Sequence, residues 1–263
     1  ADAGNGFLMD QGYTLVWSGW QGDLATAGGL LGLDVPTVPG VTGESREEFV
    51  FDDTKGTEGP VVAVDLSYPA ADADPAKARL TVRAREGDAR ATPDGLSFKF
   101  LSPTRIEIIK APGFDAGAIY EFIYTAKDPK VMGLGFAAVR DLVSFLRYER
   151  AAPDGSANPL AADGAPDLKA AYAIGISQSG RFLRDLLYQG FNDDESGRPV
   201  FDGLMPHIAG ARRTFTNARF AQPGRYSRDH EDHLYPGDAF PFSYATSLDP
   251  IGGSTDGILK RCE

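Results

Sequence analysis

The sequence predicts an α/β protein: a parallel sheet with helices on its faces, interrupted by an antiparallel, β-rich insertion. Three observations carry that reading. From Glu47 to Thr125 short apolar runs follow one another between turn signals, as in an antiparallel unit. At Phe136 the apolar spacing changes to that of a helix. From there to Ala209 helix and strand patterns alternate, which sets parallel strands between helices. The expected division is a core of residues 1–40 and 126–263 with an insertion of 41–125.

The elements follow in order. Ala3 to Gln11 suits a short helix that ends at Gly12, a residue fitted to a helix C-cap. Tyr13 to Ser18 is a compact apolar run and reads as a buried strand. A loop rich in glycine, with Pro36 and Pro39 behind it, leads to the insertion. There the strand candidates are Phe49–Phe51, Val61–Leu66, Ala78–Arg85, Leu96–Leu101, Arg105–Ile109 and Ile119–Thr125. Ala78 to Arg85 alternates apolar and polar, the mark of a half-buried strand, and Pro93-Asp94-Gly95 and Pro112-Gly113 are turns. Phe136, Val139, Leu142, Val143 and Leu146 then mark a helix, and a polar loop from Pro153 to Asp167 separates it from a strand at Ala170–Ile176. Phe182, Leu183, Leu186 and Leu187 mark a second helix, and a further strand is expected within Phe201–Ala209.

Composition narrows the function. Of 263 residues 42% are hydrophobic, and 16 Phe, 10 Tyr and 2 Trp supply ample apolar surface for a packed core. The longest nearly apolar stretch, Val131 to Val139, falls far short of the roughly 20 residues a membrane helix needs. A net charge of -11 repels phosphate backbones, so nucleic acid is excluded as a general partner. The one cysteine, Cys262, has no second thiol to pair with inside the chain. No signal peptide precedes Ala1, and both ends read as cut from something longer.

The sharpest motif is Gly175-Ile176-Ser177-Gln178-Ser179-Gly180, between an expected strand and an expected helix. It fits the nucleophile-elbow pattern, small-x-Ser-x-small, with Ser179 where a second glycine is usual. Small neighbours let the chain reverse sharply and lift the Ser177 hydroxyl above the sheet. The helix that follows points its first N–H groups at the same place, and the Gln178 N–H becomes an oxyanion donor. The plainer alternative is a strand-to-helix turn in which Ser177 or Ser179 caps the helix.

A nucleophilic serine needs a base, and the chain has three histidines, His207, His230 and His233. His207 falls on an expected strand, the place of a packed histidine. His230 and His233, three apart and flanked by Asp229, Glu231 and Asp232, suggest a divalent-metal pair, yet they lack the His-Glu-x-x-His order and any third ligand cluster. A solvated acidic loop is the plain reading, and no metal is expected. Arginines and aromatics interleave from Arg212 to Tyr244, a composition able to stack on single-stranded nucleic acid; the net charge favours ordinary packing or a substrate-side loop.

Several stretches together resemble the bacterial proteins described as alpha/beta hydrolase domain-containing. They are Gly12 to Asp23, Val139-Arg140-Asp141, Gly175 to Phe182, Pro206 to Arg213, and His230-Glu231-Asp232-His233. The resemblance covers nearly the whole chain. It implies an α/β-hydrolase fold and cofactor-free hydrolysis of a small-molecule carboxylic ester, in a family many of whose members are exported. It also implies that Tyr13–Ser18, 170–177 and 201–209 are the fourth, fifth and sixth strands. On that mapping the first three strands and a second oxyanion donor lie upstream of Ala1, and the acid and histidine loops follow Glu263. Only Ser177 and the Gln178 N–H carry over as site residues.

The expectation is thus a partial α/β-hydrolase whose nucleophile is Ser177 and whose catalytic acid and histidine are missing. Two alternatives stay open: a non-catalytic binding module that uses the β-rich insertion, and a metal-dependent hydrolase that uses His230 and His233.

Overall fold

The structure, a computed structural model, describes residues 4–24, 27–51, 59–114, 117–161, 164–226, 234 and 238–262. The chain divides into two compact units. One comprises residues 1–34, 132–214 and 236–263, the other 35–131 and 215–235.

The second unit is all antiparallel. Strands β1 (Thr42–Val50), β6 (Ile119–Lys127) and β3 (Arg79–Arg83) form one sheet in the order β1-β6-β3. Strands β2 (Val61–Asp65), β5 (Arg105–Ile109) and β4 (Ser97–Ser102) form another in the order β2-β5-β4. Alternation decides which residues meet. Phe98 and Phe100 of β4 reach the ring of Phe122 on β6, with centroids 4.9 and 5.9 Å apart. Ile106 and Ile108 of β5 are buried in the same core, and each such side chain contributes about 1.5–3 kcal/mol relative to exposure. Two charged groups in this unit were not foreseeable from periodicity. Buried Glu121 faces Arg46, Arg83 and Arg90, with its carboxylate 2.5 Å from Arg90 Nε. Buried Glu47 accepts from Ser67 N at 2.7 Å and from the Tyr124 hydroxyl at 3.2 Å. Burial and the Glu47 charge push the Tyr124 phenol far above its ordinary value.

The first unit opens with a helical turn, α1 (Phe7–Asp10), and Gly12 follows with φ +85°, the left-handed backbone a helix stop favours. Of the stripe that its spacing predicts, helix α2 (Leu134–Tyr148) buries Phe136, Val139 and Leu146 and half-buries Leu142 and Val143, and it buries Ser144 besides. It ends where the buried Asn158 amide donates to the carbonyls of Phe145, Leu146 and Glu149 at 2.8–3.1 Å, binding the carbonyl end of the helix to the loop that follows. Strand β7 (Tyr172–Ile176), helix α3 (Gln178–Tyr188) and strand β8 (Gly203–His207) form a βαβ unit, and β7 pairs with β8 in parallel. The turn α4 (Pro223–Tyr226) belongs to the second unit, and the short hairpin β9 (Ser247–Leu248) and β10 (Thr255–Asp256) closes the first.

The expected parallel sheet is not found at its expected width. Among the described residues parallel pairing is confined to β7 and β8, and the other sheets are antiparallel. Tyr13–Ser18, expected as a strand of that sheet, has no ladder partner among the described residues, and Tyr13, Val16 and Trp17 are exposed. An apolar run signals a segment suited to burial and does not name the strand it will pair with. His207 differs too, since it lies on β8 as expected but is exposed instead of packed. The reason is its side of the sheet. Phe182, Leu183 and Leu186 of α3 pack with Ala173 and Leu204, whereas His207 aligns with Ile176, on the opposite, uncovered face. No helix among the described residues is long and apolar enough to cross a membrane.

Candidate active site

β7 delivers the chain to Ser177, and α3 begins at the next residue. Ser177 has φ 55° and ψ -113°, a backbone that strains any L side chain. Three contacts hold it there. Its N–H donates to the His207 carbonyl at 2.9 Å, across the end of the parallel pair. Its carbonyl accepts the Arg181 N–H at 3.0 Å, the first bond of the helix. Close packing of the backbone does the rest. A Cβ on Gly175 would lie 2.3 Å from the Ser179 carbonyl oxygen, and one on Gly180 would lie 2.9 Å from the His207 carbonyl oxygen. Position 179, where the motif usually has glycine, accommodates a side chain. The steric demand on the helix side therefore falls on Gly180, a distinction the small-x-Ser-x-small spacing did not make.

Ser177 stands at the N-cap position of α3, yet its hydroxyl makes no capping hydrogen bond. The residue is exposed and lines a cleft of about 290 Å³ with Trp20, Gln21, Leu24, Leu31, Ile176 and Gln178 among its walls. Among the described residues no ionisable acid or base lines this cleft. Trp20 and Gln21 belong to a segment that folds back on residues 31–33: Leu33 N donates to the Gln21 carbonyl at 2.9 Å, and a Cβ on Gly19 would clash with the Gly32 carbonyl at 2.5 Å. Trp20 entered the sequence reading only within the Gly12–Asp23 stretch that carries the family resemblance, and its partner across the cleft wall is Ser179, whose Oγ accepts the indole N–H at 3.1 Å.

The other candidates are placed less closely. The backbone of His207 joins the site through its carbonyl, and among the described residues no imidazole is hydrogen-bonded to the Ser177 hydroxyl. His230 and His233 lie outside the described residues. Among the described residues no group of three or more His, Cys, Asp or Glu is arranged to hold a metal ion.

The family profile described as alpha/beta hydrolase domain matches residues 73–244, well over half of the chain and inclusive of the Ser177 bend. The chain belongs to the alpha/beta hydrolase domain family. Comparison with curated proteins and with solved structures returned no match. Membership points to hydrolase chemistry on a small molecule, and it sets the strand–Ser177–helix unit inside the matched region.

Proposed function

We propose that this member of the alpha/beta hydrolase domain family is a serine-dependent hydrolase of neutral carboxylic esters, with Ser177 as nucleophile and the Gln178 N–H as an oxyanion donor. The observation that carries the reading is the bend itself: a strained, exposed serine, not used as a helix cap, at the strand-to-helix junction and on a cleft wall. In the reaction the Ser177 Oγ–H passes its proton to a general base while Oγ bonds to the ester carbonyl carbon. The carbonyl oxygen becomes an oxyanion beside the first turn of α3, where the helix dipole and N–H groups favour negative charge. Collapse breaks the ester C–O bond, and the departing alcohol takes up the proton from the base. Water then hydrolyses the acyl-serine by the same steps, releasing the acid and restoring Ser177.

In this proposal the acid and base come from outside the described residues, and β7 and β8 are two strands of a wider parallel sheet. A single-turnover reagent tests the nucleophile together with the base that activates it, without requiring deacylation. Incubation with a fluorophosphonate, followed by intact mass and peptide mapping, is expected to show one phosphonyl adduct on Ser177 and none in Ser177→Ala. Equal modification of both proteins, or none of the wild type over a day, would return Ser177 to the role of a turn residue.

A further inference from the structure

We propose that Trp20 is a positioning residue for the Ser177 bend and that it acts through the hydroxyl of Ser179. The inference rests on Ser177 being the nucleophile and accounts for a serine where the elbow pattern usually has glycine.

Trp20 is fixed from three directions. Its carbonyl lies where a Cβ on Gly135 would stand, 2.1 Å away, so its backbone seats directly on the first turn of α2. Its ring stacks on Phe182 of α3, with centroids 4.7 Å apart and planes 21° from parallel. Phe182 stacks in turn on Phe136 of α2 at 4.9 Å. The indole N–H donates to Ser179 Oγ at 3.1 Å. Ser179 and Phe182 are three residues apart and so share one face of α3, which means that Trp20 holds the helix at two successive levels.

The two contacts do different work. Stacking is tolerant of rotation and slip, and a phenyl ring would supply it. The N–H···Oγ bond is directional, and it fixes the turn of α3 that carries the Gln178 N–H and adjoins Ser177. Trp20 is 7% exposed, and a buried indole N–H deprived of its acceptor costs about 1–3 kcal/mol, so the pair is strongly specified. A strained backbone such as that of Ser177 persists only where its surroundings over-determine it. Trp20 and Ser179 both line the cleft that Ser177 faces, so a small rotation of this turn is felt at the reacting atoms.

The experiment measures phosphonylation of Ser177 by a fluorophosphonate in the wild-type chain, Trp20→Phe, Ser179→Ala and the double variant. Saturation kinetics separates the maximal rate, kinact, from the half-saturating concentration, KI. Trp20→Phe keeps the stack and removes the donor; Ser179→Ala deletes the acceptor oxygen alone. Each is expected to lower kinact about tenfold, with the double variant no slower than the slower single one, because one interaction is lost in all three. KI for Ser179→Ala should stay within about twofold, since its apolar walls are intact. Equal kinact in wild type and Ser179→Ala would overturn the proposal, as would losses that multiply in the double variant. A fall in melting temperature without a fall in kinact overturns it equally, because that is the signature of plain packing. Should Trp20→Phe not fold, Ser179→Ala decides alone. Failure to label the wild type removes the nucleophile reading and this one with it, whereas labelling at equal rates removes only this one.

Discussion

At Ser177 a backbone strain of about 1–3 kcal/mol has to be met by contacts around it, and two glycines show where they are. Gly175 and Gly180 have ordinary φ values; what they supply is room. An added Cβ at 175 meets backbone oxygen at 2.3 Å, and one at 180 meets backbone oxygen at 2.9 Å, so neither clash can be relieved by turning a side chain. Gly175→Ala is expected to lower stability by about 1–3 kcal/mol or more, and Gly180→Ala by less, in denaturant unfolding monitored by circular dichroism. Both should slow phosphonylation of Ser177. An unchanged midpoint in Gly175→Ala would show that the bend has slack. The serine and its small neighbours were legible in the sequence because the motif is local. That Gly180 and not position 179 bears the steric load was not legible, nor was the bond from Trp20 to Ser179, which joins residues 159 apart. No periodicity links such positions; the fold alone brings them together.

Elements were readable wherever one face is buried and the other is wet. β5 occupies Arg105–Ile109, the five residues its pattern marks, and Phe136, Val139 and Leu146 of the α2 stripe are buried as its spacing predicts. What pairs with what was less readable, as Tyr13–Ser18 shows, since apolar character does not choose a partner. The links between elements were hidden altogether because they are polar and non-periodic. Asp194, in the connection from α3 to β8, accepts from Ser144 Oγ of α2 at 2.7 Å, from Arg198 Nε at 2.8 Å, and from the Ser196 and Arg198 N–H groups at 2.9 Å. Burial disfavours its charge, but these donors outweigh it and hold the carboxyl well below the usual carboxylate range. The linkage has a definite sign. Below about pH 4 the unfolded chain protonates Asp194 while the folded chain still holds it charged, so protons favour unfolding. The stabilisation is complete above that pH and drains away as pH falls toward the folded-state value. The wild type should therefore melt well above Asp194→Asn at pH 7, and the gap should narrow steadily below pH 4. A gap that is constant from pH 7 to pH 3 would mean that the Asp194 charge plays no part.

Over the whole molecule the least resolved feature is the face of the βαβ unit turned away from its helices. Tyr172, Ile174, Ile176 and Met205 are each about half exposed or more, on a parallel pair, a type of sheet usually covered on both sides. Such a surface invites self-association, and it is the same side of the sheet on which His207 stands exposed. The catalytic consequence follows from the serine. A hydroxyl is a weak nucleophile near neutral pH until a base takes its proton, and among the described residues no imidazole is bonded to Ser177. In serine hydrolases of this kind loss of the histidine alone costs on the order of a million-fold in turnover. Ser177-dependent hydrolysis of a short-chain nitrophenyl ester therefore reports whether a residue outside the described ones supplies that base, and Ser177→Ala is expected to abolish it. His207, which meets Ser177 through its backbone carbonyl, is expected to be replaceable by Ala without change in that rate. Fast turnover that vanishes with one of the three histidines would identify that residue as the base.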